Sequence, residues 1–141
     1  MPPDRSTHDA VSAVLAAFQA HDLDGLPALL TPDAVLRDSS DAVVEGPAAI
    51  VEAIRPMLVA FPDLEVEVVS LFTSGDRAVA ELVRTGTHTG PLRGPEMEIP
   101  PTGQTARMPE AILFRVRDGR VSELRAYVDR LHVLRELEIH S

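Results

Sequence analysis

The chain of 141 residues contains no cysteine and no tryptophan. Without cysteine it can have no disulfide, no thiolate nucleophile and no thiolate-bound metal. Aromatic residues are few: four phenylalanines and one tyrosine. Aromatic contacts to a ligand would therefore come from Phe18, Phe61, Phe72, Phe114 or Tyr127, and Phe18 and Phe61 already fit helical apolar stripes. Basic residues are also in deficit, with 13 Lys and Arg against 22 Asp and Glu, a net charge of −9. That balance argues against nucleic acid and against anionic membrane surfaces as partners. No apolar run approaches the roughly 20 residues of a membrane-crossing helix. The opening residues MPPDRSTHDA include no apolar leader, so a cytoplasmic setting is expected. No histidine pair has helical metal-ligand spacing with an acid, and there is no phosphate loop or nucleophile elbow. Chemistry without metal or cofactor is the expectation.

What the chain does have is a long hairpin signal from Thr105 to Leu131, TARMPEAILFRVRDGRVSELRAYVDRL. Asp118-Gly119 between alternating runs marks the turn. In the first run Met108, Glu110, Ile112, Phe114 and Val116 share one parity, and Arg107 and Arg115 the other. Strand side chains alternate faces, so the first set should point into a core or cavity. It carries one carboxylate, Glu110. The second run ends in Tyr127-Val128-Asp129, which puts an acid at the end of an apolar strand. Acids left in a pocket lined by such a hairpin point to proton chemistry.

Upstream, Ser6 or Thr7 can cap a helix whose stripe is Val11, Val14, Leu15 and Phe18, stopping near His21. Asp24 is expected to cap a short second helix through Leu30, closed by Thr31-Pro32. Asp33 to Asp38 reads as a strand, with Val43 to Glu45 pairing back across the turn at residues 39–41. Pro47 opens a third helix through Ile50, Ile54, Met57, Leu58 and Phe61, which Pro56 should kink or break. From Leu64 the period becomes two. Leu64 to Phe72 and Arg77 to Thr87 are strands, the second with Glu81 and Arg84 on opposite faces. A Pro- and Gly-rich segment after His88 is long enough to form a mouth or lid. His132 to Ile139 could be a short helix or an irregular cap. Helices gathered before strands argue α+β in a single domain over residues 1–141. The curved antiparallel sheet would wrap three N-terminal helices and enclose a cone-shaped cavity. Its outer face, with Val69 and Leu71, suggests a homodimer through the sheet.

Phe61-Pro62-Asp63-Leu64, Thr85-Gly86-Thr87-His88-Thr89-Gly90, Pro100-Pro101-Thr102-Gly103, Phe114 to Val121 and Tyr127-Val128-Asp129 come in an order that resembles the SnoaL-like polyketide cyclases. These belong to the NTF2-like, ketosteroid-isomerase-like group. The resemblance implies an NTF2-like cone, a hydrophobic small-molecule substrate and an intramolecular aldol ring closure. It further implies that a carboxylate on the last strand, matched by Asp129, is the general acid/base. Limonene-type epoxide hydrolases also place an acid there, with an Arg and a second acid that Arg84 and Glu81 match only loosely. The tail departs from the family's common Gln-Leu-Gly, reading Arg135-Glu136-Leu137-Glu138.

Each candidate has a competing structural role. Asp129 could be a surface acid or a cap for the tail; only a bulge between Val121 and Asp129 would turn it inward, because alternation groups it with Glu123 and Arg125. Glu110 could be a buried acid paired with an arginine, or could share a proton with Asp129. His88 could reach a ligand oxygen from the mouth, or be a solvated loop residue. Asp38 lies near the position of the isomerases' base, but also suits a turn cap before Ser39-Ser40. His8, His21, His132 and His140 read as surface residues. The expected site is thus catalytic Asp129, His88 and Glu110, with Asp38, Phe72, Arg84, Met108, Ile112, Phe114 and Tyr127 contacting substrate. Epoxide opening and non-catalytic ligand binding remain the alternatives.

Overall fold

Asp118 and Gly119 take φ of 54° and 76°. Positive φ at both central residues is the type I′ geometry whose twist suits a two-residue hairpin. The turn joins β7 (Thr105–Arg117) to β8 (Arg120–Val128). The structure, a computed structural model, describes residues 3–94 and 97–138. Ile139 and His140 lie outside them.

Ahead of the hairpin come α1 (Pro3–Ala20), a single 3-10 turn (Leu26–Leu29), β1 (Leu30–Arg37), β2 (Val43–Glu45), α2 (Pro47–Ala60), β3 (Glu65–Ser74) and β4 (Arg77–Thr87). Two short strands, β5 (Leu92–Arg93) and β6 (Glu98–Ile99), pair within the long loop. After the hairpin, α3 (Arg130–Glu136) forms from the tail. The main sheet runs β2-β1-β8-β7-β4-β3. It is curved, does not close into a barrel, and with its helices makes the NTF2-like α+β cone. No helix among the described residues is long and apolar enough to cross a membrane.

Several local expectations shift. The sheet is mixed, because β1 runs parallel to β8 while β2 pairs back on β1 antiparallel. Ser6 and Thr7 lie inside α1, not at its cap, and the Thr7 hydroxyl donates to the Gly75 carbonyl at 2.7 Å. The second helix shrinks to one turn, since Leu30 is already extended. Asp24 does not cap it: its N-cap is Gly25, without a side-chain cap, and Asp22 accepts from Gly25 N at 2.9 Å just ahead of the turn. Helix α2 continues through Pro56 without a break. Proline removes one backbone bond, but the buried residues Ile50, Val51 and Ala60 hold the helix on the sheet from either side of it.

The core lies between the helices and the inner sheet face. Val11, Val14, Ile50, Ala80, Leu82, Phe114, Val121 and Leu124 are all buried there. A second cluster, with Phe61, Ala106, Met108 and Leu137, fills the end under α3. On β4 the inward residues are Ala78, Ala80 and Leu82; on β7 they are Ala106, Met108, Ile112, Phe114 and Val116. This is the even parity expected of β7.

Candidate active site

Glu110 pairs with Leu82 across the β4–β7 ladder, and Arg84 pairs with Met108. Arg84 and Glu110 are therefore diagonal neighbours on one face. Both side chains face a hollow of about 200 Å³. Ala17, Phe18 and His21 reach it from the end of α1, and Ile54, Met57 and Leu58 from α2. Leu36, Leu64, Val66, Leu82, Ile112, Leu124 and Ala126 complete a mostly aliphatic wall. Apolar residues dominate because every contributing strand presents its inward parity to the helices.

The two charged groups in this wall are almost dry. The Glu110 side chain is 10% exposed and that of Arg84 12%. Burial disfavours the carboxylate and raises the Glu110 pKa above its ordinary 4.5, while the guanidinium beside it acts in the opposite direction. Arg84 Nε lies 3.4 Å from Glu110 Oε1. That is an ion-pair contact without hydrogen-bond geometry, and Nε is buried with no acceptor of its own. A buried donor in this state can serve an oxygen entering the hollow.

His21 is the third polar group in the wall. It sits at φ 56°, just past the end of α1, and its Nε2 lies 2.6 Å from the Leu64 carbonyl oxygen. A carbonyl only accepts, so Nε2 carries the hydrogen and Nδ1 is the lone-pair nitrogen of the neutral ring. The surface position expected for His21 does not hold, since the residue is half-buried in the wall. The signal against that was available: His21 continues the stripe of Val11, Val14 and Phe18 by three more residues.

Of the expected site residues, Glu110, Arg84 and Ile112 line the hollow, and the other seven do not. Asp129 is exposed and serves as the N-cap of α3, its Oδ1 accepting from His132 N at 3.0 Å. Strand β8 does have a bulge: Arg115 pairs with Glu123 but Val116 with Val121, leaving Ser122 extra. The bulge lies before Glu123, so it turns Leu124 and Ala126 inward and leaves Asp129 outward with Glu123 and Arg125. It therefore separates Asp129 from Glu110, and the two cannot share a proton.

His88 is fully buried, neither solvated nor in the wall. Its Nδ1 is 3.0 Å from Thr102 Oγ1 and accepts from Thr102 N at 3.3 Å, and its ring packs on Phe61. Burial lowers its pKa below 6.5, so the neutral ring is favoured. Met108 and Phe114 are plain core, because the hairpin packs against helices along its whole inner face. Phe72 and Tyr127 are exposed, at 69% and 48%, since their parity faces away from the helices. Asp38 accepts from Ser40 N at 2.8 Å and pairs with Arg130 at 3.1 Å, the turn-capping role. Glu81 lies on the outer face with Ser70 and cannot join Arg84. Among the described residues no group of three or more His, Asp or Glu could hold a metal ion.

The architecture is widely shared. Over its full length the chain superposes on a protein of Jannaschia sp. CCS1, provisionally assigned as a SnoaL-like polyketide cyclase, with TM-score 0.88, 28% identity and 97% of that chain covered. AclR of Streptomyces galilaeus, provisionally a hydroxylase, matches with TM-score 0.81 and 28% identity over 98% of this chain and 88% of its own. An epoxide hydrolase of limonene-hydrolase-like type from M. tuberculosis has the same fold, with TM-score 0.73 and 22% identity over 97% of this chain and 92% of its own. No curated protein matches in sequence. The model of the SnoaL-like polyketide cyclases matches residues 8–137, the whole cone from α1 to α3, and the chain belongs to that family.

Proposed function

We propose that the hollow is the active site of a cofactor-independent cyclase or isomerase in which Glu110 moves the proton. One observation carries this reading: a carboxyl group, its pKa raised by burial, lies in an aliphatic hollow beside a guanidinium with an unmatched Nε–H. A base for carbon acids works best with its pKa moved toward the working pH, and burial shifts Glu110 in that direction.

The ionised carboxylate takes a proton from a carbon next to a carbonyl. Electrons move to the carbonyl oxygen, and Arg84 Nε–H donates to the enolate as it forms. The enolate carbon then attacks a second carbonyl of the same molecule, forming the ring bond. Protonated Glu110 returns its proton to the new alkoxide, so no external reductant or oxidant is needed. The aliphatic wall holds the reacting carbons together, which removes most of the entropic barrier.

Epoxide opening is the second reading, favoured by an arginine beside an acid in the hollow. It lacks the further acid that would hold water, since Glu81 and Asp129 lie outside. Deuterium exchange separates catalysis from passive binding. The wild type should speed exchange at the α-carbon of a small ring ketone in D2O, Asp129→Asn should match it, and Glu110→Gln should abolish it. Equal exchange in Glu110→Gln would remove the reading.

The same proposal includes a homodimer through the outer sheet face. Phe72, Val79 and Tyr127 are exposed there. Glu65, Glu67 and Glu81 lie on the β3–β4 side and Arg107, Arg115 and Arg125 on the β7–β8 side. A two-fold axis lying in the interface and parallel to the strands would set each acidic side against a basic one.

A further inference from the structure

We infer that the substrate is a compact, sparsely oxygenated molecule of one ring, or of a chain that closes to one ring, and not a fused multi-ring compound. This rests on the reading above for the chemistry but on separate observations for the size.

The first observation is volume. The hollow holds about 200 Å³. An engineered apolar cavity of about 150 Å³ takes one benzene ring, which scales to about eight to ten non-hydrogen atoms here. Drug-sized ligands occupy pockets of about 300 to 1,000 Å³. The walls are also shared among α1, α2 and five strands of the main sheet, so the hollow cannot widen by moving a single loop.

The second observation is the scarcity of polar groups. Arg84, Glu110 and His21 are the wall's polar side chains, and His21 already spends its Nε2–H on Leu64. The Arg84 guanidinium, Glu110 and the His21 Nδ1 lone pair are the partners a ligand oxygen can find in this wall. Further hydroxyl or carbonyl groups on the ligand would be buried against Leu, Ile, Val and Met side chains without partners. The match is to a mostly hydrocarbon molecule with few oxygens.

Calorimetric titration tests this with para-propylphenol and with a hydroxyanthraquinone, on wild type and Glu110→Gln. Para-propylphenol should bind both proteins, and the hydroxyanthraquinone should bind at least about tenfold more weakly. Equal or tighter binding of the fused compound, or no binding of para-propylphenol, would overturn the inference. Ile54→Ala enlarges the wall at a half-buried site and should narrow the gap between the ligands. Arg84→Met should reduce the preference for para-propylphenol over propylbenzene; a preference left unchanged in that folded variant also counts against it. Loss of the proton-transfer role of Glu110 would leave this size ranking intact, so the two ideas stand or fall separately.

Discussion

Arg84 and Glu110 lie diagonally across the β4–β7 ladder, Nε 3.4 Å from Oε1, with nearly all of both side chains withdrawn from water. Two charges in an aliphatic hollow are costly unless each answers the other. Arg84→Met should therefore destabilise the fold by about 2 to 4 kcal/mol near neutral pH, because it strands the carboxyl. The double variant Arg84→Met, Glu110→Gln should recover part of that loss. Urea unfolding of the four proteins gives the coupling; strict additivity would deny the pairing.

Glu110 also sets a pH signature. Its folded pKa is raised above 4.5, so the folded state holds the proton more tightly than the unfolded chain. Its stabilising contribution is complete below 4.5 and is lost as pH rises through the folded pKa. Relative to Glu110→Gln, the wild type should lose melting temperature over that window. A constant difference across it would contradict a raised pKa.

His88 has the opposite sign. Burial depresses its pKa below 6.5, so its contribution is present above 6.5 and is lost as pH falls through the folded value. Protonation would put a hydrogen on Nδ1 and break its acceptance from Thr102 N. Melting curves should show an acid-side loss in the wild type that His88→Asn lacks, with ketone exchange at neutral pH unchanged in that variant.

Asp129 should behave as a helix cap. Asp129→Asn retains the oxygen that accepts from His132 N and should leave stability nearly unchanged. Asp129→Ala should cost about 1 kcal/mol, the usual price of a lost N-cap. Turnover should be the same in both, and a large rate loss in Asp129→Asn would restore the acid to the mechanism.

Gly90 ties the long loop after β4 to α2. Thr89 N and Gly90 N both donate to the Ala60 carbonyl, at 3.2 and 3.1 Å. A Cβ at Gly90 would collide with the backbone carbonyl of Val59. Gly90→Ala should destabilise by more than about 2 kcal/mol, as backbone cannot retreat like a side-chain tip. Gly75→Ala meets open space but has φ 59°, and should cost only about 1 kcal/mol.

Local patterning alone settled much of this protein. Alternation from Met108 to Val116 placed Glu110 inward, and Asp118-Gly119 set the hairpin, because side-chain period and turn geometry are properties of a few adjacent residues. The order of short motifs carried the family. Which acid faces the hollow was decided elsewhere. One extra residue at Ser122 fixes the parity of the end of β8, and a bulge depends on the pairing partner, not on the strand's own residues. Burial of His88 arises where Phe61 and Thr102, distant in sequence, close over it. The joining of Arg84 to Glu110 likewise required the β4–β7 register, a contact between segments that neither segment encodes alone.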